Sequence, residues 1–95
     1  MPKSMVNDED EAFKLAQAGL RDLKLAIVEI LERYPEGLTN AQVAETLGLR
    51  SSYRGGSKDY LSWSILGLLL DEGRVKRLGR KYLVFEQPIQ VPLGF

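Results

Sequence analysis

Cationic side chains are the residues of this sequence whose number and spacing best suit recognition of another molecule. Residues 50–81 hold eight of the 13 lysines and arginines, and seven of these lie in two segments, Arg50–Gly56 and Arg74–Lys81, that flank an apolar stretch. Such clustering is typical of a surface that binds a polyanion. Catalysis has few candidates, because the sequence has no cysteine and no histidine, which removes most nucleophile, base and metal-ligand sets. We therefore expect a binding protein and not an enzyme, with no cofactor and no metal.

The charge is unevenly distributed along the chain although its sum is zero. Residues 1–49 carry five cations against nine acids, a net charge of −4, whereas residues 50–81 carry eight cations against three acids, a net charge of +5. A molecule polarised in this way presents its positive end to an anion. Its 95 residues, 44% of them hydrophobic, suit one domain. No signal peptide or membrane-spanning run is recognisable, so we expect a cytoplasmic protein without a membrane partner.

The apolar stretch between the basic segments predicts a helix over residues 57–73, capped by Ser57 and ended by Gly73. Its predicted core residues cover most of the helix circumference: Leu61, Ile65, Leu66, Leu68, Leu69 and Leu70. The remaining strip holds Tyr60, Ser64, Gly67 and Asp71. We expect this strip to face outward and to contact the ligand.

A long first helix is predicted over residues 8–34, after a disordered leader at residues 1–7. One face repeats apolar residues at helical spacing: Phe13, Ala16, Leu20, Leu23, Ile27, Ile30, Leu31 and Tyr34. Such a helix is roughly 40 Å long, more than a small domain needs. Its first half must find another surface, so we expect a homodimer with Phe13, Ala16 or Leu20, or the C-terminal tail, at the interface.

A short second helix is predicted over residues 40–47. Thr39 followed by Gln42 matches the capping box, and Gly48 suits a left-handed C-terminal position. Arg50–Gly56 is predicted to be a turn or loop.

A basic hairpin follows the third helix. Arg74–Leu78 and Lys81–Phe85 read as strands joined by Gly79-Arg80, which places Val75 opposite Val84 and Arg77 opposite Tyr82. Residues 86–95 form an apolar tail whose prolines exclude a helix.

The order of these elements resembles the winged helix-turn-helix superfamily of DNA-binding domains over about residues 20–85. The segments that carry the resemblance are TNAQVAETLGL, LLLDEGRVKR and RVKRLGRKYLVF. The segment of residues 49–57 is longer and richer in glycine than the usual turn of that family. The resemblance implies an α+β, mostly helical fold: three helices, a C-terminal two-stranded β-hairpin wing, and here an extended N-terminal helix. It also implies double-stranded DNA as partner, with the third helix in the major groove and the wing on the phosphate backbone or minor groove.

The residues themselves allow these roles to be assigned. Arg50, Arg54 and Lys58 are candidates for phosphate contacts at the start of the third helix. The candidates for base edges are Ser57, Tyr60 and Ser64, none of which gives bidentate base readout. The wing contributes four further cations: Lys76, Arg77, Arg80 and Lys81. We therefore expect a small transcriptional regulator or an accessory DNA-binding subunit.

Each assignment has a structural alternative. Trp63 could stack on bases, but an aromatic residue at helical spacing is more often part of a core, and we expect that here. Cations on a hairpin can serve solubility and edge protection. The alternative function is a winged helix for protein–protein assembly without nucleic-acid binding, in which the third helix and the tail bind a partner.

Overall fold

The computed structural model describes the backbone of residues 2–53 and 56–84, and the side chains of residues 9–51 and 58–84. This part of the chain is a small, mostly helical α+β fold with three helices, a three-stranded antiparallel sheet and a separate two-stranded sheet. The elements in chain order are α1 (Pro2–Glu32), β1 (Leu38–Thr39), α2 (Asn40–Leu47), β2 (Ser51–Tyr53), β3 (Gly56–Lys58), α3 (Tyr60–Asp71), β4 (Val75–Leu78) and β5 (Lys81–Val84).

Helix α1 is longer at its start than the sequence predicted. It begins at Pro2, so residues 2–7 are helical and do not form the predicted disordered leader. Proline is accepted at the first helical position, where its fixed φ suits the helix and its missing N–H costs no bond. The helix ends at Glu32, before Tyr34, because the amides of Arg33 and Tyr34 bond three residues back, at 3.1 and 3.0 Å.

The turn after α1 adds a strand that the sequence did not predict. Gly37 has φ 92° and is packed so closely against β5 that a Cβ atom would lie 2.9 Å from Leu83 Cγ and 3.0 Å from the Tyr82 carbonyl oxygen. Only glycine fits this position without displacement of its neighbours. The close approach lets β1 pair with β5, and the sheet order is β1-β5-β4.

Helix α2 confirms its prediction at both ends. Gln42 N donates to Thr39 Oγ1 at 3.2 Å, and Thr39 N donates to Gln42 Oε1 at 2.9 Å, which is the reciprocal capping box. Gly48 ends the helix at φ 67°, and the next amide, of Leu49, bonds to the Ala44 carbonyl oxygen at 2.8 Å.

The structure has two short strands, β2 and β3, where the sequence predicted a loop at residues 50–56. Strands β2 and β3 pair antiparallel, with Ser51 opposite Lys58 and Ser52 opposite Ser57. Pairing holds the chain extended through Lys58, so the following helix starts only at Tyr60. Ser57 therefore belongs to β3 and is not the helix cap.

Helix α3 buries one side, not most of its circumference. Ile65, Leu66 and Leu69 are buried, whereas Leu61 and Leu68 are exposed at 45% and 38%. The reason is tertiary, since α3 packs against α1, α2 and β4 and no described element covers its other side. The helix ends at Asp71, two residues before the predicted Gly73.

The core lies between α1, α2, α3 and the three-stranded sheet. Its fully or nearly fully buried hydrophobic members are Ile27, Ile30, Leu31, Leu38, Val43, Ile65, Leu66, Leu69, Val75 and Tyr82. The β4–β5 register confirms the prediction, with Val75 opposite Val84 and Arg77 opposite Tyr82. Phe85 and the predicted tail at residues 86–95 lie outside the described residues.

Candidate nucleic-acid interface

The β4–β5 hairpin carries four of the predicted site residues. Lys76 and Arg77 lie on β4, Arg80 lies in the turn and Lys81 begins β5, and all four are exposed. The structure shows five ion pairs among the residues it describes, and none involves these four side chains. Their charges are not matched by carboxylates within that part of the chain, so they are available to an anion.

Arg77 is the most constrained of these cations. Its Nε donates to the carbonyl oxygen of Gly79 at 2.9 Å, and its guanidinium lies 5.5 Å from the ring centroid of Tyr82. Tyr82 is anchored in the core at 4% exposure. This cation–π contact and the hydrogen bond fix the direction of the guanidinium without removing its charge.

The exposed face of α3 has a different character. Tyr60 and Trp63 are 65% and 59% exposed, and Ser64, Leu68 and Asp71 are also exposed. The expected exposure of Tyr60, Ser64 and Asp71 is confirmed, but the expected burial of Trp63 is wrong. No lysine or arginine occurs within α3. The face is therefore aromatic and apolar, with one carboxylate near its C-terminal end.

A groove of about 410 Å³ joins this face to the hairpin. Its lining comes from both elements: Trp63, Ser64, Gly67, Leu68, Leu70, Asp71, Arg77 and Tyr82. The groove brings Ser64 of α3 and Arg77 of β4, two residues that the sequence analysis assigned to one interface, onto one concave surface.

A smaller hollow of about 260 Å³ lies at the other side of Trp63, near the start of α3. It is lined by Asn40, Asp59, Tyr60 and Trp63. Trp63 lines both depressions, so the hollow and the groove adjoin at this residue.

A buried hydrogen-bond network holds Asn40 and Asp59, two of the residues that line this hollow. Ser62 is 0% exposed, and its Oγ donates to Asn40 Oδ1 at 2.6 Å and lies 3.2 Å from the Asp59 carbonyl oxygen. Asn40 Nδ2 donates to the same carbonyl oxygen at 3.2 Å. Since Asn40 is the first residue of α2, these bonds tie the start of α2 to the start of α3.

Sequence reasoning missed this pair. A signal for Ser62 was present, because it precedes Leu66 and Leu69 at the spacing of the buried face of α3. Nothing comparable marked Asn40, whose partner is 22 residues away.

The residues predicted to contact phosphate near the start of α3 are less available to a ligand than the cations of the hairpin. Arg50 Nε donates to Asp59 Oδ1 at 2.9 Å, so its charge is already matched by a carboxylate. This hydrogen bond, together with the charge of Asp59, raises the pKa of Arg50. Lys58 is half-buried. Arg54 and the side chain of Ser57 lie outside the described residues.

The predicted interface residues of α1 lie where the helix leaves the core. Phe13 is 63% exposed and Ala16 is also exposed, whereas Leu20 is half-buried and packs against the core. The apolar stripe of α1 therefore continues past the domain and is uncovered in its first half.

The described part of the chain has no group of three or more histidine, cysteine, aspartate or glutamate side chains that could hold a metal ion. None of the helices in residues 2–53 and 56–84 combines the length and the apolar character that a bilayer crossing requires.

Comparison of the chain with protein-family models, with curated proteins and with solved structures gives no match.

Proposed function

We propose that this protein binds double-stranded DNA as a winged-helix domain, with α3 as the recognition helix and the β4–β5 hairpin as the wing. The element order supports the assignment, because a strand between the first two helices adds to the hairpin as a third strand. One observation carries the functional proposal. Four exposed cations without a carboxylate partner among the described residues lie on the hairpin, and one of them, Arg77, lines a groove that the hairpin shares with the exposed face of α3.

In this proposal the β4–β5 hairpin binds phosphates and α3 contacts bases. Lys76, Arg80 and Lys81 contact phosphates, which supplies affinity without sequence information. Tyr60 and Ser64 reach base edges from α3. Neither offers the bidentate pattern of arginine, asparagine or glutamine, so sequence selectivity is modest and comes partly from DNA shape. A small transcriptional regulator or an accessory DNA-binding subunit, without catalytic activity, fits this description.

The salt dependence of duplex binding tests the proposal. For the wild type we expect the logarithm of the association constant to fall linearly with the logarithm of salt concentration. Changing both Arg80 and Lys81 to Ala should lower affinity and reduce that slope by roughly two, about one for each lost phosphate contact. Fluorescence anisotropy of a labelled duplex at several salt concentrations measures both quantities.

A matched control removes the same charge elsewhere. Lys14 and Arg33 each form an exposed ion pair with a residue four positions before, on or just after α1. Changing both to Ala should leave the slope unchanged. Equal slopes for the wild type and the Arg80/Lys81 double variant would refute the wing assignment, and no duplex binding at low salt would refute the proposal that the protein binds double-stranded DNA.

A second candidate function is protein–protein assembly through α3. The observation that favours it is the exposure of Leu61, Trp63 and Leu68 on a helix without cations. Exposed aromatic and aliphatic side chains at this density are typical of protein interfaces. In that case duplex binding stays weak at every salt concentration, and the Arg80/Lys81 double variant behaves as the wild type.

We also propose that the protein is a homodimer through the first half of α1. Phe13 and Ala16 continue the spacing of the buried Ile27 and Ile30, so a second copy can cover the stripe as the core does further along. Phe13→Glu should then give a monomer in sedimentation or light scattering. Lys14→Gln, which makes the same change in net charge one residue away, should not. A monomeric wild type would refute this part of the proposal.

A further inference from the structure

The hollow beside Trp63 combines features that suit a flat, apolar ring system. Two aromatic side chains line it and both are mostly exposed, Tyr60 at 65% and Trp63 at 59%. A protein of this size normally buries its single tryptophan, because the indole is its largest apolar side chain. Exposure of this indole beside a hollow therefore indicates a ligand that covers it.

The indole of Trp63 is better suited to stack on the face of a nucleobase than to bind the edge of a base pair. An indole offers one N–H donor and no acceptor, so it reads base edges poorly, but both of its faces can stack. Inside a duplex the base faces are already stacked on one another, and only the edges are accessible in the grooves. Base faces become accessible where bases are unpaired, in a single strand, an overhang or a flipped nucleotide.

Asn40 adds a polar group at the edge of the hollow. Its Nδ2 uses one of two N–H donors on the Asp59 carbonyl oxygen, and its Oδ1 accepts one bond from Ser62. One donor and one acceptor position of the amide remain. Because Ser62 is fully buried and holds the amide in place, the remaining groups are directed by the protein and do not need to be ordered on binding.

We infer that the hollow lined by Asn40, Tyr60 and Trp63 holds an unpaired nucleobase, which stacks on Trp63 and receives hydrogen bonds from the Asn40 amide. The inference rests on the proposed function and narrows it. The nucleic acid that the protein prefers contains unpaired bases next to a phosphate backbone that the β4–β5 hairpin contacts.

Charge favours a nucleic acid over a peptide as the occupant. The one carboxylate in the hollow, Asp59, is already paired with Arg50 at 2.9 Å, so it does not repel an anion strongly. Arg77 lines the adjoining groove on the other side of Trp63. A strand whose base stacks on Trp63 can therefore place a neighbouring phosphate near a cation, an arrangement typical of single-strand sites.

Intrinsic fluorescence tests the inference directly, because Trp63 is the only tryptophan of the chain. The full-length protein is titrated at low salt with an oligothymidylate of about 15 nucleotides, within the range of single-strand site sizes, and with a blunt duplex of equal length. We expect saturable quenching of Trp63 emission by the single strand and weaker quenching by the duplex.

Variants at Trp63 supply the second measurement, by anisotropy of the labelled oligothymidylate. Trp63→Leu should raise the dissociation constant roughly 5- to 150-fold, the effect of losing one stacked base, whereas Trp63→Phe should retain most of the affinity. Leu25→Ala, a change at an exposed apolar residue of α1, should have no effect. Far-ultraviolet circular dichroism checks that the Leu variant is folded, which its 59% exposed position favours.

The outcomes separate this inference from the proposed function. Duplex binding with unchanged Trp63 emission, together with equal affinity of Trp63→Leu for the single strand, would overturn the inference and leave duplex binding in place. Failure to bind either nucleic acid would overturn both. Quenching by an apolar lysine-containing peptide but not by oligothymidylate would assign the hollow to a protein partner and overturn the inference.

Discussion

The β4–β5 hairpin and the exposed face of α3 line one groove, but they offer opposite chemistry. The hairpin exposes Lys76, Arg77, Arg80 and Lys81, whereas α3 exposes Tyr60, Trp63 and Leu68 and carries only a carboxylate, Asp71. Long-range attraction of an anion can come from the first surface and not from the second. Contact area and stacking can come from the second. The comparison shows that charge clustering in the sequence located the cationic hairpin, whereas the exposure of Trp63 and Leu68 on α3 became evident only in the structure.

The largest expected effect concerns the support under the α3 face. Leu66 is fully buried on the inner side of the helix, and Leu66→Ala should lower the free energy of unfolding by about 2–5 kcal/mol through lost burial and a cavity. Leu68→Ala, on the exposed side at 38%, should cost less than about 1 kcal/mol. Urea denaturation followed by circular dichroism measures both. Similar losses for the two variants would mean that Leu68 is covered in solution.

The second-largest expected loss in the free energy of unfolding concerns the hydrogen-bond network between α2 and α3. Asn40→Ala deprives the buried Ser62 hydroxyl of its shorter hydrogen bond and should cost about 1–3 kcal/mol. Ser62→Ala should cost less, because the Asn40 amide then bonds water in the hollow. The same denaturation experiment ranks the two. A larger loss for Ser62→Ala would show that packing around the serine, and not the hydrogen bond, is what matters.

Single charges on the two surfaces should act in opposite directions on duplex affinity, if DNA lies in the groove as proposed. Asp71→Asn removes a negative charge from the α3 side of the groove and should strengthen binding roughly twofold to fivefold, whereas Arg77→Gln on the hairpin side should weaken it by a similar factor. Glu11→Gln, the same charge change on exposed α1, is the control. Anisotropy titrations measure the three changes, and equal strengthening by Asp71→Asn and Glu11→Gln would place the DNA elsewhere.

The smallest expected effect is on thermal stability and concerns the ion pair between Lys24 of α1 and Glu72, just after α3. Lys24 Nζ donates to Glu72 Oε2, and this hydrogen bond is the main reason that the pKa of Glu72 is lowered. A carboxyl whose folded pKa is depressed stabilises the fold above its ordinary pKa, and this contribution is lost as the pH falls through the depressed value.

Glu72→Gln should therefore lower Tm slightly at neutral pH, and its difference from the wild type should shrink as the pH falls below the ordinary carboxyl pKa of 4.5 and vanish below the depressed pKa. Glu32→Gln, at an exposed glutamate outside the ion pairs of the described residues, is the control. Thermal denaturation at neutral and acid pH measures the shift, and a difference that is independent of pH would rule out the ion pair as its cause.

Local sequence signals predicted the elements whose stability is local. The capping box of Thr39 and Gln42, the left-handed Gly48 and the Gly79-Arg80 hairpin were all recognisable, and each is present. In these motifs the bonded groups lie within a few residues of one another. The buried members of the α1 stripe, Ile27 and Ile30, follow from the same kind of short-range periodicity.

The sequence predicted strands less well where the pairing strand lies far along the chain. Strand β1 has only two residues and exists because Gly37 lets it approach β5, more than 40 residues later. Strands β2 and β3 lie where the sequence predicts a turn or loop, because serine and glycine are typical of turns.

The amino-acid sequence by itself determined the number and order of the three helices, how α2 is capped, the register of the basic hairpin and the clustering of cations at residues 50–81. Only the tertiary structure decided that α3 is covered on one side, that Trp63 is exposed and that Arg50 is matched by Asp59. The physical reason is that helical periodicity shows which residues share a face, whereas burial depends on which other elements pack against that face. An ion pair likewise depends on where folding places the two charges.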